Sequence, residues 1–96
     1  MCGIFGVLAP EGGAVSVDDA VIASLRDLMR HRGPDGHGLW RRENAVLAHR
    51  RLSVIDPTEA GAQPMLGDDG RYALVYNGEL YNDAELRASL GREFRS

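Results

Sequence analysis

The sequence predicts an α+β fold in which antiparallel strands form sheets and helices pack on them. Four or five strand candidates and two helix candidates are segregated along the 96 residues, which favours antiparallel layers over a parallel βαβ array. Apolar residues make up 44% of the chain and charged residues 26%, a balance typical of folded globular domains. The length allows one small domain or a piece of a larger one.

The chain opens with an apolar segment that is followed by a helical pattern. Residues 2–9 (CGIFGVLA) are punctuated by glycine and apolar on both sides, which predicts a strand buried on both faces and ended by Pro10. From Ser16, the predicted N-cap, apolar residues recur at helical spacing through Met29. We therefore expect an amphipathic helix of about four turns that ends before Gly33.

Short strands and turns follow this helix. Residues 38–41 and 45–49 predict two strands joined by a hairpin turn at residues 43–44. The remaining predicted elements are a loop at residues 56–64, a turn at 68–70, a strand at 71–77, and a short helix that Asn82 caps with Glu85 in a capping-box arrangement.

Charge and cysteine content exclude several classes of protein. The 14 acidic and 11 basic residues give a net charge of −3 and leave no basic stripe for a nucleic-acid backbone. One cysteine cannot form an intrachain disulfide, and no apolar run approaches the roughly 20 residues of a membrane span. We expect a soluble, cytoplasmic chain that binds neither nucleic acid nor membrane. The three histidines lie on different predicted elements without zinc-site spacing, so no metal site is expected.

Cys2 carries the clearest chemical signal. Removal of Met1, which a small second side chain permits, would leave a thiol and a free α-amine on one residue. An α-amine loses its proton at a lower pH than a lysine amine, so it can accept the thiol proton near neutrality. Nucleophile and base would then belong to the same residue. The alternative is a cysteine that merely follows the start codon.

The Asn77–Gly78 pair is a candidate oxyanion hole. Acyl transfer to a thiol needs hydrogen-bond donors aimed at the developing oxyanion. In the segment YNGELYN (residues 76–82), Asn77 offers a side-chain amide and Gly78 a backbone N–H. The alternative is an ordinary Asn-Gly turn. The segment HRGPDGHG (residues 31–38) likewise has the composition of a turn after a helix.

Two adjacent arginines end the second strand of the predicted hairpin. Strand alternation places Arg50 and Arg51 on opposite faces, so only one of them can point into a given cleft. A guanidinium there could hold a substrate carboxylate through two parallel hydrogen bonds. The alternative is a solvated pair of arginines.

The order of these motifs resembles a known family. The segments MCGIFGV, HRGPDGHG, AHRRLSVID with GAQPM, and YNGELYN together resemble the glutaminase domain of the class II glutamine amidotransferases. The RGPDG, RLSVID and GAQPM forms are similar to its branch of glutamine-hydrolysing asparagine synthetases. The resemblance runs nearly the full length and implies that residues 1–96 are the N-terminal part of a type 2 glutamine amidotransferase domain.

The resemblance implies a fold and a mechanism. The fold is that of the N-terminal nucleophile (Ntn) hydrolases, an αββα sandwich of antiparallel sheets, which we expect to be incomplete in this chain. Cys2 would attack the carboxamide carbon of glutamine, form a thioester and release ammonia, and water would then release glutamate. Asn77 and Gly78 would form the oxyanion hole, and Arg51 would bind the α-carboxylate of glutamine.

The resemblance also implies a glutamine pocket. Arg32 and the RGPDG turn would support the N-terminal strand without taking part in catalysis. The residues implied to line the pocket, beside Arg51, are Leu52, Ser53, Val54, Ile55, Asn77, Gly78 and Glu79.

The implied partners are L-glutamine and a C-terminal synthetase domain, which would use ATP and magnesium to amidate aspartate; a homodimer is left open. Relatives with this N-terminal region amidate other carboxylates, so the acceptor is also open.

Family members hold the substrate α-amino group with an Asp in an S-D-x-E stretch that is not found among residues 1–96. We therefore expect the 96 residues alone to hydrolyse little glutamine. The alternative is a non-catalytic remnant that binds glutamine weakly or pairs its sheet edges with a partner chain.

Overall fold

The architecture is mixed α and β, with two antiparallel sheets. A computed structural model describes residues 2–53 and 58–91. The elements in chain order are strand β1 (Gly3–Leu8), helix α1 (Asp19–Asp27), strands β2 (Gly36–Arg42) and β3 (Ala45–Arg51), a short 3₁₀ turn (Glu59–Gly61), strands β4 (Met65–Leu66) and β5 (Ala73–Leu74), and helix α2 (Asp83–Leu90). The α+β class and the antiparallel pairing are as predicted.

The larger sheet has β3 at its centre, in the order β1-β3-β2. Both neighbours run antiparallel to β3, with Ile4 opposite His49 on one side and Gly38 opposite His49 on the other. The turn at residues 43–44 joins β2 to β3, which confirms the predicted hairpin. Strands β4 and β5 form the second, two-stranded sheet.

Helix α1 covers one face of the larger sheet and creates the core. Ile22 of α1 and Val46 and Ala48 of β3 are fully buried, and Phe5 and Val7 of β1 pack against them. Because side chains alternate along a strand, the residues between these point to the other side of the sheet. We call the α1 side the helix face and the opposite side, to which Ile4, Leu8, His49 and Arg51 point, the open face.

The prediction that the first strand is buried on both faces was wrong. On the open face, 47% of the surface of Ile4 and 77% of that of Leu8 are exposed in the part of the chain that the structure describes. The sequence shows that both faces of β1 are apolar. It does not show which of the two faces the helix will cover.

Helix α1 is shorter than the predicted four turns and starts later. Its N-cap is Asp18, and the cap forms without a side-chain hydrogen bond. Arg41 of β2 explains the difference, because its guanidinium donates hydrogen bonds to the carbonyl oxygens of Val15 and Val17 and so keeps them outside the helix. The predicted N-cap, Ser16, therefore lies in the connecting segment.

The C-terminal elements are also shorter than predicted. The predicted strand at residues 71–77 is regular only at Ala73–Leu74. Asn82 does precede α2, but its side chain makes no capping hydrogen bond, so the predicted capping box is not formed. Gly91 ends α2 in the left-handed conformation that glycine tolerates best.

Residues 2–53 and 58–91 show neither a membrane-spanning helix nor a cluster of metal ligands. No helix there has the length and apolar character needed to cross a membrane. In the same ranges, no group of three or more histidine, cysteine, aspartate or glutamate residues is arranged to hold a metal ion.

Candidate active site

The thiol of Cys2 lies against the backbone that follows β3. The N–H of Leu52 donates a hydrogen bond to Cys2 Sγ over 3.3 Å, and Sγ lies 3.8 Å from the carbonyl oxygen of the same residue. Cys2 is half-buried. Two predicted site residues that are 50 positions apart are thus in direct contact, and the backbone of Leu52 lies beside the sulfur.

The turn after α1 holds the backbone of Cys2. Arg32 Nε donates a hydrogen bond of 3.1 Å to the carbonyl oxygen of Cys2. Gly33, the next residue, is buried so close to Arg50 that any Cβ would overlap its backbone. Arg32 therefore supports the start of the chain, in the way the sequence predicts.

The same turn also holds the segment after β3, which sequence reasoning missed. Asp35 Oδ2 accepts a hydrogen bond of 2.8 Å from the N–H of Ser53. The N–H of Asp35 donates to the carbonyl oxygen of Arg51 over 2.9 Å. Asp35 thus fixes the chain on both sides of Leu52. The signal in the sequence was the Pro-Asp-Gly turn, but its partner lies about 18 residues away and is not visible there.

Arg50 points to the helix face and has a structural role. Only 3% of its surface is exposed. Its Nε donates to the carbonyl oxygen of Gly33 over 2.9 Å, and its Nη1 lies 3.1 Å from Asp27 Oδ1. The alternative of a solvated arginine pair is therefore wrong for Arg50.

Asp27 joins two buried guanidinium groups. Besides Arg50, it accepts a hydrogen bond of 2.9 Å from Nε of its neighbour Arg26. The hydrogen bond and charge of Arg26, together with the charge of Arg50, hold the pKa of Asp27 below its ordinary value, against a smaller opposing effect of burial. This ion cluster ties the end of α1 to β3.

Arg51 points to the open face, opposite to Arg50, which confirms the predicted alternation. It is half-buried, and its Nη1 donates a hydrogen bond of 2.6 Å to the carbonyl oxygen of Thr58. A guanidinium has five N–H donors, so this bond leaves donors for a ligand. Cys2 lies two residues before Ile4, whose side chain points to the same face, so alternation puts the thiol and Arg51 on one side of the sheet.

His49 is a buried residue of this face that the sequence did not single out for a role. Its side chain is fully buried, and Nε2 lies 3.3 Å from the carbonyl oxygen of Tyr76. Burial lowers the pKa of His49 below 6.5; the hydrogen bond to Tyr76 opposes this shift and the nearby charge of Arg51 adds to it. An isolated histidine in a strand gives no signal that distinguishes this position from a core residue.

The predicted oxyanion-hole residues follow Tyr76 directly. Asn77 is half-buried, and Gly78 and Glu79 are exposed. Among the described residues, no hydrogen bond joins Asn77 to Cys2, so the oxyanion-hole role of this pair stays a prediction. Two of the predicted pocket residues, Val54 and Ile55, lie outside the described residues, as does Met1.

The chain belongs to the glutamine amidotransferase domain family, whose model matches residues 1–96. The site on the described residues has a half-buried thiol just before an edge strand, with an arginine on the same face of the sheet. Within the class, the most similar relatives include glutamine-hydrolysing asparagine synthetases, which confirms the resemblance found in the motifs.

Three of these relatives come from a bacterium and two plants. The chain is 44% identical over 95 residues to asparagine synthetase B (glutamine-hydrolyzing) of Escherichia coli strain K12, which covers 99% of this chain and 17% of that protein. It is 45% identical over 90 residues to asparagine synthetase (glutamine-hydrolyzing) of Zea mays, covering 94% and 15%. It is 42% identical over 97 residues to asparagine synthetase (glutamine-hydrolyzing) 3 of Arabidopsis thaliana, covering 100% and 16%.

The match covers a small part of each relative. The chain spans 15% to 17% of the length of these curated relatives, and the matched part is the amidotransferase domain. In the relatives, that domain is attached to a longer synthetase.

Proposed function

We propose that this chain provides the glutaminase activity of a glutamine-dependent asparagine synthetase, with Cys2 as the nucleophile. The observation that supports this most directly is the position of Cys2 Sγ. The sulfur lies 3.3 Å from the backbone nitrogen of Leu52. Leu52 directly follows Arg51, whose side chain points to the same face of the sheet as the thiol. Nucleophile and substrate-binding groups are thereby held on one side of the domain.

The reaction uses the two functional groups of one residue. After Met1 is removed, the α-amine of Cys2 takes the proton of the thiol, and the sulfur attacks the carboxamide carbon of glutamine. The tetrahedral oxyanion accepts hydrogen bonds from the side-chain amide of Asn77 and the N–H of Gly78. The C–N bond breaks as the ammonium of Cys2 returns its proton to the leaving nitrogen, giving a thioester and ammonia. Water then hydrolyses the thioester to glutamate and restores the thiol.

The glutamine pocket extends along the end of β3. Arg51 binds the α-carboxylate through two parallel N–H···O bonds, a geometry for which guanidinium is well suited. The backbone of Leu52 and Ser53, with Asn77, Gly78 and Glu79, lines the remaining pocket. The contact of Leu52 with Cys2 supports this placement, because it puts the start of that segment beside the nucleophile.

We assign the domain to the Ntn-hydrolase fold, in which a second sheet packs on the first. The open face of the β1-β3-β2 sheet supports this assignment. It exposes Ile4 and Leu8, an apolar surface of the kind that two sheets bury between them. We assign the ATP- and magnesium-dependent amidation of aspartate to the part of the relatives' length that this chain does not match.

The proposal is tested by following Cys2 directly. Intact mass of the protein isolated from cells should show that Met1 has been removed. A glutamine analogue that carries an electrophilic ketone should label the protein once, and excess glutamine should protect it. Since the chain contains a single cysteine, the Cys2→Ser variant should take up no label on these residues.

Ammonia release by the protein isolated from cells, and not by residues 1–96 alone, provides the functional readout. The Cys2→Ala variant should lose glutamine hydrolysis by about 10³-fold or more, while its affinity for glutamine stays close to that of the wild type. Retention of Met1 in an active protein would show that the α-amine is not the base. Calorimetric binding of glutamine by a wild type that releases no ammonia would favour a binding module over an enzyme.

A further inference from the structure

The backbone of Tyr76 is held at both its polar groups by side chains from distant parts of the chain. Its N–H donates a hydrogen bond of 2.6 Å to Gln63 Oε1. Its carbonyl oxygen lies 3.3 Å from His49 Nε2. Tyr76 immediately precedes Asn77 and Gly78, so these two contacts fix the backbone directly before the predicted oxyanion-hole residues.

The contacts of His49 determine which of its ring nitrogens carries a proton. A carbonyl oxygen only accepts, so Nε2 must carry the proton in this contact. The other ring nitrogen, Nδ1, is buried and has no hydrogen-bond partner among the described residues. A protonated ring would bury an unpaired N–H, which is costly, so the neutral ring is favoured. The result is a neutral donor aimed at Tyr76 from the central strand.

Gln63 lies in the segment between the 3₁₀ turn and β4, and it contacts the same residue, Tyr76. Gly38 is paired with His49 across the sheet, and the Gln63–Pro64 segment lies over it so closely that any Cβ at residue 38 would overlap the Gln63 carbonyl. The absence of a side chain at Gly38 thus allows Gln63 to sit beside His49. One site on the open face therefore supplies both the donor and the acceptor for Tyr76.

We infer that His49 and Gln63 are positioning residues that orient the Asn77–Gly78 donors by holding the backbone of Tyr76. The inference rests on the function proposed above. Oxyanion donors contribute to rate only when they are held in place before the reaction, within a few tenths of an ångström. Since the oxyanion exists only in the transition state and intermediate, loosening these donors should lower kcat and leave the KM for glutamine nearly unchanged.

Matched substitutions separate positioning from general loss of structure. Gln63→Leu removes the acceptor, whereas Gln63→Glu keeps an oxygen at the same place. His49→Leu removes the donor, whereas the amide nitrogen of His49→Gln can take the place of Nε2. His37→Gln, on exposed His37 of the adjacent strand, is the control for a histidine substitution that should leave activity unchanged.

Steady-state hydrolysis by the full-length protein is the first measurement. We expect Gln63→Leu and His49→Leu to lower kcat about 10- to 100-fold, a smaller fall than the removal of an oxyanion donor itself causes. The KM for glutamine should stay within about twofold of the wild-type value. Gln63→Glu and His49→Gln should recover most of kcat. The aldehyde analogue of glutamine, which forms a tetrahedral adduct with the thiol, should lose affinity in the leucine variants by a similar factor.

Amide hydrogen exchange tests the contact without any reference to activity. In the wild type, the N–H of Tyr76 should exchange slowly, and Gln63→Leu should speed its exchange about 10-fold or more while the amides of β3 keep their protection. Gln63→Glu should preserve the slow exchange. This readout applies even if His49→Leu fails to fold, because Gln63 and the conservative variants carry the comparison.

The outcomes distinguish the two proposals. If the wild type releases no ammonia, the proposed function fails, and exchange at Tyr76 still decides whether the contact exists. If the wild type is active, the inference is overturned by kcat unchanged in both leucine variants, by losses confined to KM, or by unchanged exchange at Tyr76 in Gln63→Leu. Failure of both conservative variants to recover kcat would also overturn it.

Discussion

The carboxylate of Asp35 accepts a hydrogen bond of 2.8 Å from the backbone N–H of Ser53. Because Asp35 also donates its own N–H to Arg51, the turn after α1 holds the chain on both sides of Leu52. Leu52 in turn donates to the sulfur of Cys2. The position of the proposed nucleophile thus depends on a turn that contributes no atom to the proposed reaction.

Removing the Asp35 carboxylate should disturb glutamine binding, because Asp35 holds the segment on both sides of Leu52 that is proposed to bind glutamine. We expect Asp35→Ala to raise the KM for glutamine and to lower the free energy of unfolding by about 1 kcal/mol, the contribution of one hydrogen bond. Asp35→Asn, which keeps a side-chain oxygen acceptor, should retain most of the affinity. Steady-state kinetics and urea unfolding measure the two effects. Equal KM values for wild type and Asp35→Ala would contradict the proposed role.

The two neighbouring arginines should respond differently to the same substitution. Arg51→Lys should raise the KM for glutamine about 10-fold, because lysine cannot form two parallel bonds to a carboxylate. Arg50→Lys should instead lower the free energy of unfolding by about 2 kcal/mol, because Arg50 bonds to Gly33 and Asp27 in a buried site. Each variant serves as the control for the other. A larger KM effect in Arg50→Lys would reverse the assignment.

Asp27 should make the fold sensitive to acid. Its pKa in the native state lies below its ordinary value of 3.8, chiefly because of the hydrogen bond from Arg26. The unfolded chain therefore binds this proton first, so the stabilisation is complete above pH 3.8 and is lost as the pH falls through the lower native-state pKa. Urea unfolding of Asp27→Asn should show reduced stability at pH 7 and a weaker dependence on acid than the wild type.

Asp18→Asn provides the control for Asp27. Asp18 is an exposed aspartate at the N-cap of the same helix, and its side chain makes no capping hydrogen bond. It should leave the acid dependence unchanged. If the acid dependence of the free energy of unfolding weakened equally in both variants, acid would act on the net charge and not on the cluster of Asp27 with Arg26 and Arg50.

His49 should give a second pH dependence in a higher range. Burial lowers the pKa of His49 from 6.5 in the folded protein, so below pH 6.5 the unfolded chain binds a proton that the native chain resists. The stabilisation is present above pH 6.5 and declines as the pH falls toward the native-state value, by at most about 1.4 kcal/mol per pH unit for one proton.

The test is the difference in slope between two histidine variants. The free energy of unfolding of His49→Gln should vary less with pH than that of the wild type between about pH 5 and 6.5. His37→Gln, which replaces an exposed histidine, should retain the wild-type slope. If the slope were lost in His37→Gln and kept in His49→Gln, the group that titrates would be His37 on β2, which would contradict the prediction.

The elements that depend on local patterns were predictable from the sequence. The hairpin of β2 and β3 follows from two alternating segments around a two-residue turn. The opposite directions of Arg50 and Arg51 follow from strand alternation alone. The contact of Cys2 with Leu52 agrees with the pocket that the resemblance implies. In the first two cases the controlling interactions lie within a few residues, whereas the contact of Cys2 with Leu52 spans 50 residues and was accessible only through the resemblance.

The elements that depend on distant partners were not predictable. The late start of α1 results from Arg41, which lies on another strand and binds the carbonyl oxygens of Val15 and Val17. The contacts of Tyr76 with His49 and Gln63 span 27 and 13 residues. No periodicity records such pairs, because each partner satisfies its own local pattern equally well without the other.

The central position of β3 has a consequence for how this domain tolerates change. Its successive side chains point alternately to the helix face, where Arg50 joins the ion cluster, and to the open face, where Arg51 lies on the proposed reaction side. Inserting or deleting one residue within β3 would move its side chains to the opposite faces, turning the guanidinium of Arg51 toward α1 and that of Arg50 toward the thiol. We expect that substitutions in this strand affect folding or turnover separately, and that a single-residue length change destroys both at once.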